Sequence, residues 1–457
     1  MKTRNMTEGS PIRLILAVAF PLMLGNVFQQ LYTVVDTQVV GVVEGVAALA
    51  ALGSSDWFLW LFTGMVQGFA QGFSIPMAQA FGAGDIKALK KSVGNAATLT
   101  LIVGVISGVV GILTISPMQH LLSMPVEIRP ISRQYLTVIF AGLPIFMAYN
   151  VLGGILRSLG DGKTPLFAMV IASFVNIGLD LLFVVVIRMG VIGAAVATVI
   201  AQMTSCLFCI SRLKNLSMVH PGKEDFLLTK AAAGKQMRLG VPMAFQNVII
   251  AVGGMFVQSI VNGMGVAFIA GYTATNKLYG LLEIASVSYG YAVSTYAGQN
   301  MGAKKPERIR KGVHVAVFIG VLTAFLIGGL MFLVGHHIVG SFLSGEAQEV
   351  AEALKVALEF LHIMASMLFL LYLLYIYRAA QQGMGNTMMP MLSGFVELFM
   401  RLGAAILLPG LIGYQGLFWA EVLAWLGADL LLLPSYYATL GKVKRQCAKE
   451  NMDMVTE

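Results

Sequence analysis

Apolar stretches long enough to cross a bilayer recur from one end of this 457-residue chain to the other. A ~30 Å hydrocarbon core takes about 20 helical residues. Twelve segments meet that need: 14–43, 46–79, 92–115, 132–156, 165–187, 190–211, 238–262, 266–297, 312–335, 353–377, 390–408 and 413–438. Backbone in lipid must satisfy its own hydrogen bonds, so such segments are read as helices. The expected fold class is an all-α polytopic membrane protein with twelve transmembrane helices. Composition agrees, because 57% hydrophobic residues, 11% charged residues and a mean hydropathy of +0.80 exclude an ordinary soluble domain. The first apolar stretch has no small-residue cleavage site and a second follows closely, so no signal peptide is expected.

Basic residues gather on one side of these spans. Lys2, Arg4 and Arg13, Lys87, Lys90 and Lys91, Arg157 and Lys163, the 212–238 segment, Lys304 to Lys311, Arg378 and the 442–449 tail share it. The opposite side carries Arg129, Arg133, Arg188 and Lys355. Positive loops stay in the cytoplasm, so both termini are expected there, in a bacterial cell membrane. The net charge of +8 reflects this asymmetry rather than nucleic-acid binding. Cys206 and Cys209 are spaced as a possible redox or metal pair, but no His or further Cys completes a ligand set, and small apolar packing is the expected role. The loop "GAGDIKALKK" lacks a phosphate-binding Gly-x-x-x-x-Gly-Lys-Ser/Thr pattern, so ATP-driven transport by this chain is not expected and no cofactor is implied.

The chain also repeats itself. "FPLMLGNV" at 20–27 matches "VPMAFQNV" at 241–248, and "QAFGAGDIKALKKSV" at 79–93 matches "QNMGAKKPERIRKGV" at 299–313. "LGDGKTP" at 159–165 is paired with "MGNTMMP" at 384–390, and "GVIG" at 190–193 with "GLIG" at 410–413. The order is kept at an offset of 220 to 225 residues. The expected organisation is an N-terminal six-helix bundle over 1–211, a cytoplasmic linker over 212–237, a C-terminal bundle over 238–440 and a tail over 441–457. Six helices per half give both halves the same orientation, a pattern suited to alternating access.

A carboxylate inside a bilayer costs at least ~2.5 kcal/mol, so intramembrane acids point to function. Asp36 falls about eight residues inside the outer end of the first span, ~12 Å deep at 1.5 Å per residue. In the fifth span Asn176 and Asp180 are four apart and share a face. Thr198 in the sixth span is also ~12 Å deep. Two carboxylates, an amide and a hydroxyl at one depth suit a shared proton or a Na⁺ ion, so Asp36, Asn176, Asp180 and Thr198 are the candidate cation-coupling residues and the candidate Na⁺ ligands. Tyr32, Asp56, Asn150 and Glu421 are candidates for lining a substrate cavity. The second half differs: Asp36 aligns with Val257 and Asn176 with Arg401. Glu397 and Arg401, four apart, are expected to pair, and Lys277 is expected to need a carboxylate partner.

Taken in order, "FPLMLGNVFQQLYTVVDTQVVG", "QAFGAG", "LRSLGDGKTP", "NIGLD" and "GAAVATVIAQ" resemble the signatures of the multidrug and toxic compound extrusion (MATE) family over essentially the whole chain. The resemblance implies a V-shaped pair of pseudo-symmetric six-helix bundles that exports organic cations and amphipathic drugs in exchange for H⁺ or Na⁺. It also places Asp36, Asn176, Asp180 and Thr198 at the family's N-terminal cation site. Members with acids in helices 7 and 10 carry a C-terminal site, whereas this chain has Ile249, Ile250 and "LLYLLYIY" there. The resemblance implies small-molecule substrates, the lipid bilayer is the surround, and a functional monomer is expected because a single chain already contains both bundles. Three rival readings make different demands on the sequence. A lipid-linked saccharide flippase shares paired bundles but should carry more helices or a strongly cationic cavity. A major-facilitator symporter should carry an Asp-Arg/Lys-x-Gly-Arg loop after its second helix. A membrane enzyme should carry a nucleophile, metal or acid/base cluster near a membrane face.

Overall fold

A computed structural model describes residues 3–122, 124–343 and 347–456, and every described element is helical. Lys2 of the basic side lies outside the described residues. The first half comprises α1 (Pro11–Glu44), α2 (Val46–Gly82), α3 (Ile86–Leu121), α4 (Arg129–Ala141), α5 (Leu143–Ser158), α6 (Lys163–Asp180) and α7 (Val191–Leu213). The second comprises α8 (Lys230–Val261), α9 (Val266–Gly302), α10 (Pro306–Gly340), α11 (Ala347–Gly383), α12 (Met388–Leu407), α13 (Pro409–Ile412) and α14 (Gln415–Thr456).

Ten helices are long and apolar enough to cross a membrane. An eleventh span is α4 with α5, bent by 46°, where Gly142 and Pro144 interrupt the helical ladder. The twelfth is α9, which at 37 residues is ample in length but is rich in Tyr, Ser and Thr and carries Lys277 and Glu283. Close helix contact rests on small residues, as expected where no hydrophobic force drives helices together in lipid. A Cβ on Gly104 would meet the Pro144 backbone at 2.8 Å, and one on Gly328 the Ala365 carbonyl at 2.6 Å.

The turns reproduce the internal repeat. After α2 the Ala83 and Asp85 amides close onto Gln79 and Ala80, and after α9 those of Ala303 and Lys305 close onto Gln299 and Asn300. Gly84 (φ 72°) and Lys304 (φ 55°) hold the left-handed position of the two turns. Gly160 (φ 75°) and Gly385 (φ 88°) do the same after α5 and α11.

One pairing read from sequence needs correcting. The positive φ of Gly190 (65°) recurs at Gly413 (69°), not at Gly410, and the Gly193 amide bonds Gly190 as the Gly416 amide bonds Gly413. The equivalent of "GVIG" is therefore "GYQG" at 413–416, offset by 223 residues. "GLIG" resembled it only because α13, an extra turn, precedes the true cap. This register places Thr198 over Glu421.

The helices pack as two compact units, one of residues up to Met6 with Phe20–Val248, the other of Thr7–Ala19 with Ile249 onward. Within the first, an aromatic nucleus of Phe58, Phe62 and Phe140 has ring centroids 4.9 to 5.4 Å apart. The segment 212–237 belongs to this unit: the Asn95 amide donates to the Asp225 carbonyl at 2.9 Å and that of Gln236 to the Ser92 carbonyl at 2.7 Å. Within the second unit, Tyr272, Phe360, Phe418 and Phe268 form a stacked column.

Candidate cation site

Four helices of the first unit supply the site. α1 carries Tyr32 and Asp36, α4 carries Tyr135, α6 carries Asn176 and Asp180, and α7 carries Thr198 and Gln202. Asn176 and Asp180 are fully buried and Asp36 is 7% exposed. The Asn176 amide donates to the Thr198 hydroxyl at 3.5 Å. That contact joins the fifth and sixth spans. Asp36 lies close enough to Asp180 to act on it electrostatically.

The acids are short of partners. Neither Asp180 oxygen has a hydrogen-bond donor, and Asp36 Oδ1 and Asn176 Oδ1 are also without one. Buried polar oxygens are nearly always paired, so three side chains with vacant acceptors in one layer form a concentration of unmet acceptor capacity. The four ion pairs among the described residues all belong to the second unit. Among the described residues, no Lys or Arg is salt-bridged to Asp36 or Asp180. The helix changes character here: after Asp180 it widens into a π-helical turn, Leu181–Val186, in which the Ile187 amide reaches back to Leu182. Such turns often accompany functional sites, and this one begins immediately beyond the buried acid.

The remaining predicted residues have distinct surroundings. Tyr32 is half-buried, within reach of Gln29 and Gln202 and within electrostatic range of both acids. Asp56 is exposed. Asn150 donates to the Phe146 carbonyl of its own helix at 2.9 Å. Glu421 accepts from Arg401 at 2.9 Å. Tyr135, near Asp36, Asp180 and Asp56, and Gln202 were not singled out from sequence. Gln202 stands one turn beyond Thr198, so helical spacing would have found it, whereas nothing local marks Tyr135. Cys206 and Cys209 are buried in a small cluster with Tyr149, Leu156 and Ala168.

Two expectations fail in the second unit. Glu397 does not pair with Arg401. It pairs with Arg378 of α11, which also donates to Ser393, while Arg401 reaches Glu421 of α14. Both α12 charges are buried, and facing helices offer each a partner, which outweighs the i,i+4 contact of an exposed helix. Lys277 is exposed and forms no ion pair among the described residues, because its face of α9 is not enclosed.

A family model described as MatE matches residues 21–182 and again 242–407, beginning each time at the repeat's shared proline. The chain belongs to the MatE family. Membership makes it a multi-pass membrane transporter and not an enzyme. This MatE chain is 27% identical to the probable multidrug resistance protein YoeA of Bacillus subtilis, covering 97% of each chain. It is 25% identical to the probable multidrug resistance protein NorM of Thermotoga maritima over 84% of this chain and 82% of that one. Multidrug export protein MepA of Staphylococcus aureus is 22% identical over 91% and 92%. Among solved structures, a MOP superfamily transporter from Pyrococcus furiosus matches with a TM-score of 0.88 at 23% identity, over 97% of this chain and 99% of that one. That likeness carries the fold, twelve helices in the MATE arrangement.

Proposed function

We propose that this chain is a secondary active multidrug efflux antiporter that exports organic cations and amphipathic compounds in exchange for H⁺ or Na⁺ by alternating access. The observation that carries the proposal is the pair of buried, unsalted carboxylates Asp36 and Asp180 with three vacant oxygens between them. An isolated anion in a poorly hydrated interior is too costly to persist, so these groups are neutralised by a proton or a cation. Asn176, Thr198 and Tyr32 add the neutral oxygens that a small ion needs in place of water.

Exchange follows from linkage. A ligand shifts a conformational equilibrium only by its differential affinity for the two states, so ion and drug are coupled if each favours a different one. The six-helix halves, 1–211 and 238–440, are the moving bodies in this reading, with 212–237 as the cytoplasmic connection, basic loops in the cytoplasm and a single chain sufficient. The names of the relatives YoeA, NorM and MepA support drug export. Asp56, Asn150 and Glu421 remain candidates for contact with substrate. The test is ethidium or norfloxacin efflux from cells expressing Asp36→Asn. Efflux at background level with normal membrane abundance is expected. Wild-type efflux from equally abundant, folded variant removes Asp36 from the mechanism.

A further inference from the structure

We propose that the second unit contains a proton site of its own at Asp429, set beside the buried pair Arg378–Glu397. This goes beyond the coupling site in the first unit and stands independently of it. Asp429 lies on α14, is 8% exposed, and neither of its carboxylate oxygens has a hydrogen-bond partner. α11 and α14 run side by side in a register fixed by Gln381 donating to the Leu432 carbonyl at 3.1 Å and Asn386 to the Thr439 hydroxyl at 3.0 Å. Three residues before Gln381 and Leu432 stand Arg378 and Asp429, at one level.

Among the buried acids of this unit described in the structure, Asp429 alone has neither carboxylate oxygen bonded. The Arg378 guanidinium is salt-bridged to Glu397 and also donates to Ser393, and Glu397 and Asp429 both lie within its electrostatic range. The other buried charged groups of the helices around it have bonded partners. Arg401 of α12 holds Glu421 of α14, and Glu283 of α9 accepts from the Tyr375 hydroxyl of α11. Tyr377 of α11 is within range of Asp429, and His314 of α10 is bonded farther along to Tyr437. α13 carries no charge. Two carboxylates thus share one guanidinium, and the unbonded one is Asp429.

The occupant is a proton rather than Na⁺. A sodium ion needs several oxygen ligands, and among the described residues no amide or hydroxyl is hydrogen-bonded to Asp429. Protonation turns the carboxylate into a neutral acid and removes the surplus charge. Release to water regenerates an anion that competes with Glu397 for Arg378, so the proton's presence sets which carboxylate the guanidinium serves.

The repeat shows that this triad is an addition. At offsets of 225, 225 and 223, the first unit carries Gly153, Ala172 and Cys206 where the second has Arg378, Glu397 and Asp429. The fold therefore packs at these places without charge. Three charged residues replacing small neutral ones incur a desolvation cost that simple packing does not require.

The experiment is infrared difference spectroscopy of the protein in liposomes between neutral and alkaline buffer, in an Asp36→Asn/Asp180→Asn background. The carbonyl stretch of a protonated carboxylic acid is expected in that background, shifted by ¹³C-labelled aspartate, displaced in Asp429→Glu and lost in Asp429→Asn. Asp429→Cys, which installs the first unit's residue, should lose it too. An acid band that ignores the aspartate label, or that survives in either neutral variant, overturns the proposal. The label test needs no substitution at Asp429, so a poorly folding variant does not protect the idea.

Discussion

Asn176 and Thr198 in the first unit and Arg401 and Glu421 in the second stand at matching places in the repeat, and both pairs touch. The first contact is an amide to a hydroxyl at 3.5 Å and the second an ion pair at 2.9 Å. Around the neutral contact sit Asp36 and Asp180, whose equivalents in the second unit are Val257 and Ala405. One fold thus places two unsalted carboxylates beside neutral polar groups in one half, and binds charge to charge in the other. A carboxylate that must take up and release a cation gains from neighbours that offer oxygen without a competing positive charge. A guanidinium at the same place would satisfy it permanently.

The sharpest way to break this contrast is to carry the second unit's pair into the first. Asn176→Arg with Thr198→Glu puts a guanidinium one turn from Asp180. Drug efflux should fall to background while the folded protein persists in the membrane, as read by fluorescence-detected size exclusion. Next in size is the loss of a buried partner. Arg378→Met leaves Glu397 uncompensated and should destabilise by about 3–5 kcal/mol in thermal unfolding in detergent, most of it recovered in Arg378→Met/Glu397→Leu.

The corrected register makes a smaller demand. Gly190→Ala and Gly413→Ala should each cost about 1–3 kcal/mol, because both pair a positive φ with an extended ψ that essentially only glycine adopts. Gly410→Ala, where a Cβ meets open space, should cost nothing measurable in the same assay. A large penalty at Gly410 alone would restore the offset of 220. Least of all should come from carrying the neutral pair across. Arg401→Asn with Glu421→Thr should stay within about 1 kcal/mol of wild type, since a buried ion pair scarcely outweighs its own desolvation. Efflux should persist. Its loss would bring Glu421 into substrate contact after all.

Much of this was legible in the residues. Apolar length marked eleven spans directly, and α9 was legible only because the count used length and tolerated its Tyr, Ser and Thr. The proximity of Asn176 to Thr198 and of Asp36 to Asp180 was legible from depth and helical spacing, which report where a side chain sits along a helix. Partners across helices were not legible. Glu397 found Arg378, nineteen positions earlier in the chain, and the i,i+4 rule has no means of weighing that contact against Arg401. Tyr135 joins the site through the fold of α4, and the π-helical turn after Asp180 has no local signature among "LLFVVV". The fourth repeat pair misled because "GLIG" copies letters, whereas the cap copies a backbone conformation.

The most direct measurement is drug uptake into liposomes containing purified protein, driven in turn by an imposed pH gradient and an imposed Na⁺ gradient, for wild type and for Asp180→Asn. We expect wild type to respond to at least one gradient and Asp180→Asn to neither, while the variant still binds drug. Gradient-driven uptake by Asp180→Asn at the wild-type rate would contradict the assignment of coupling to the neutral-lined acids of the first unit.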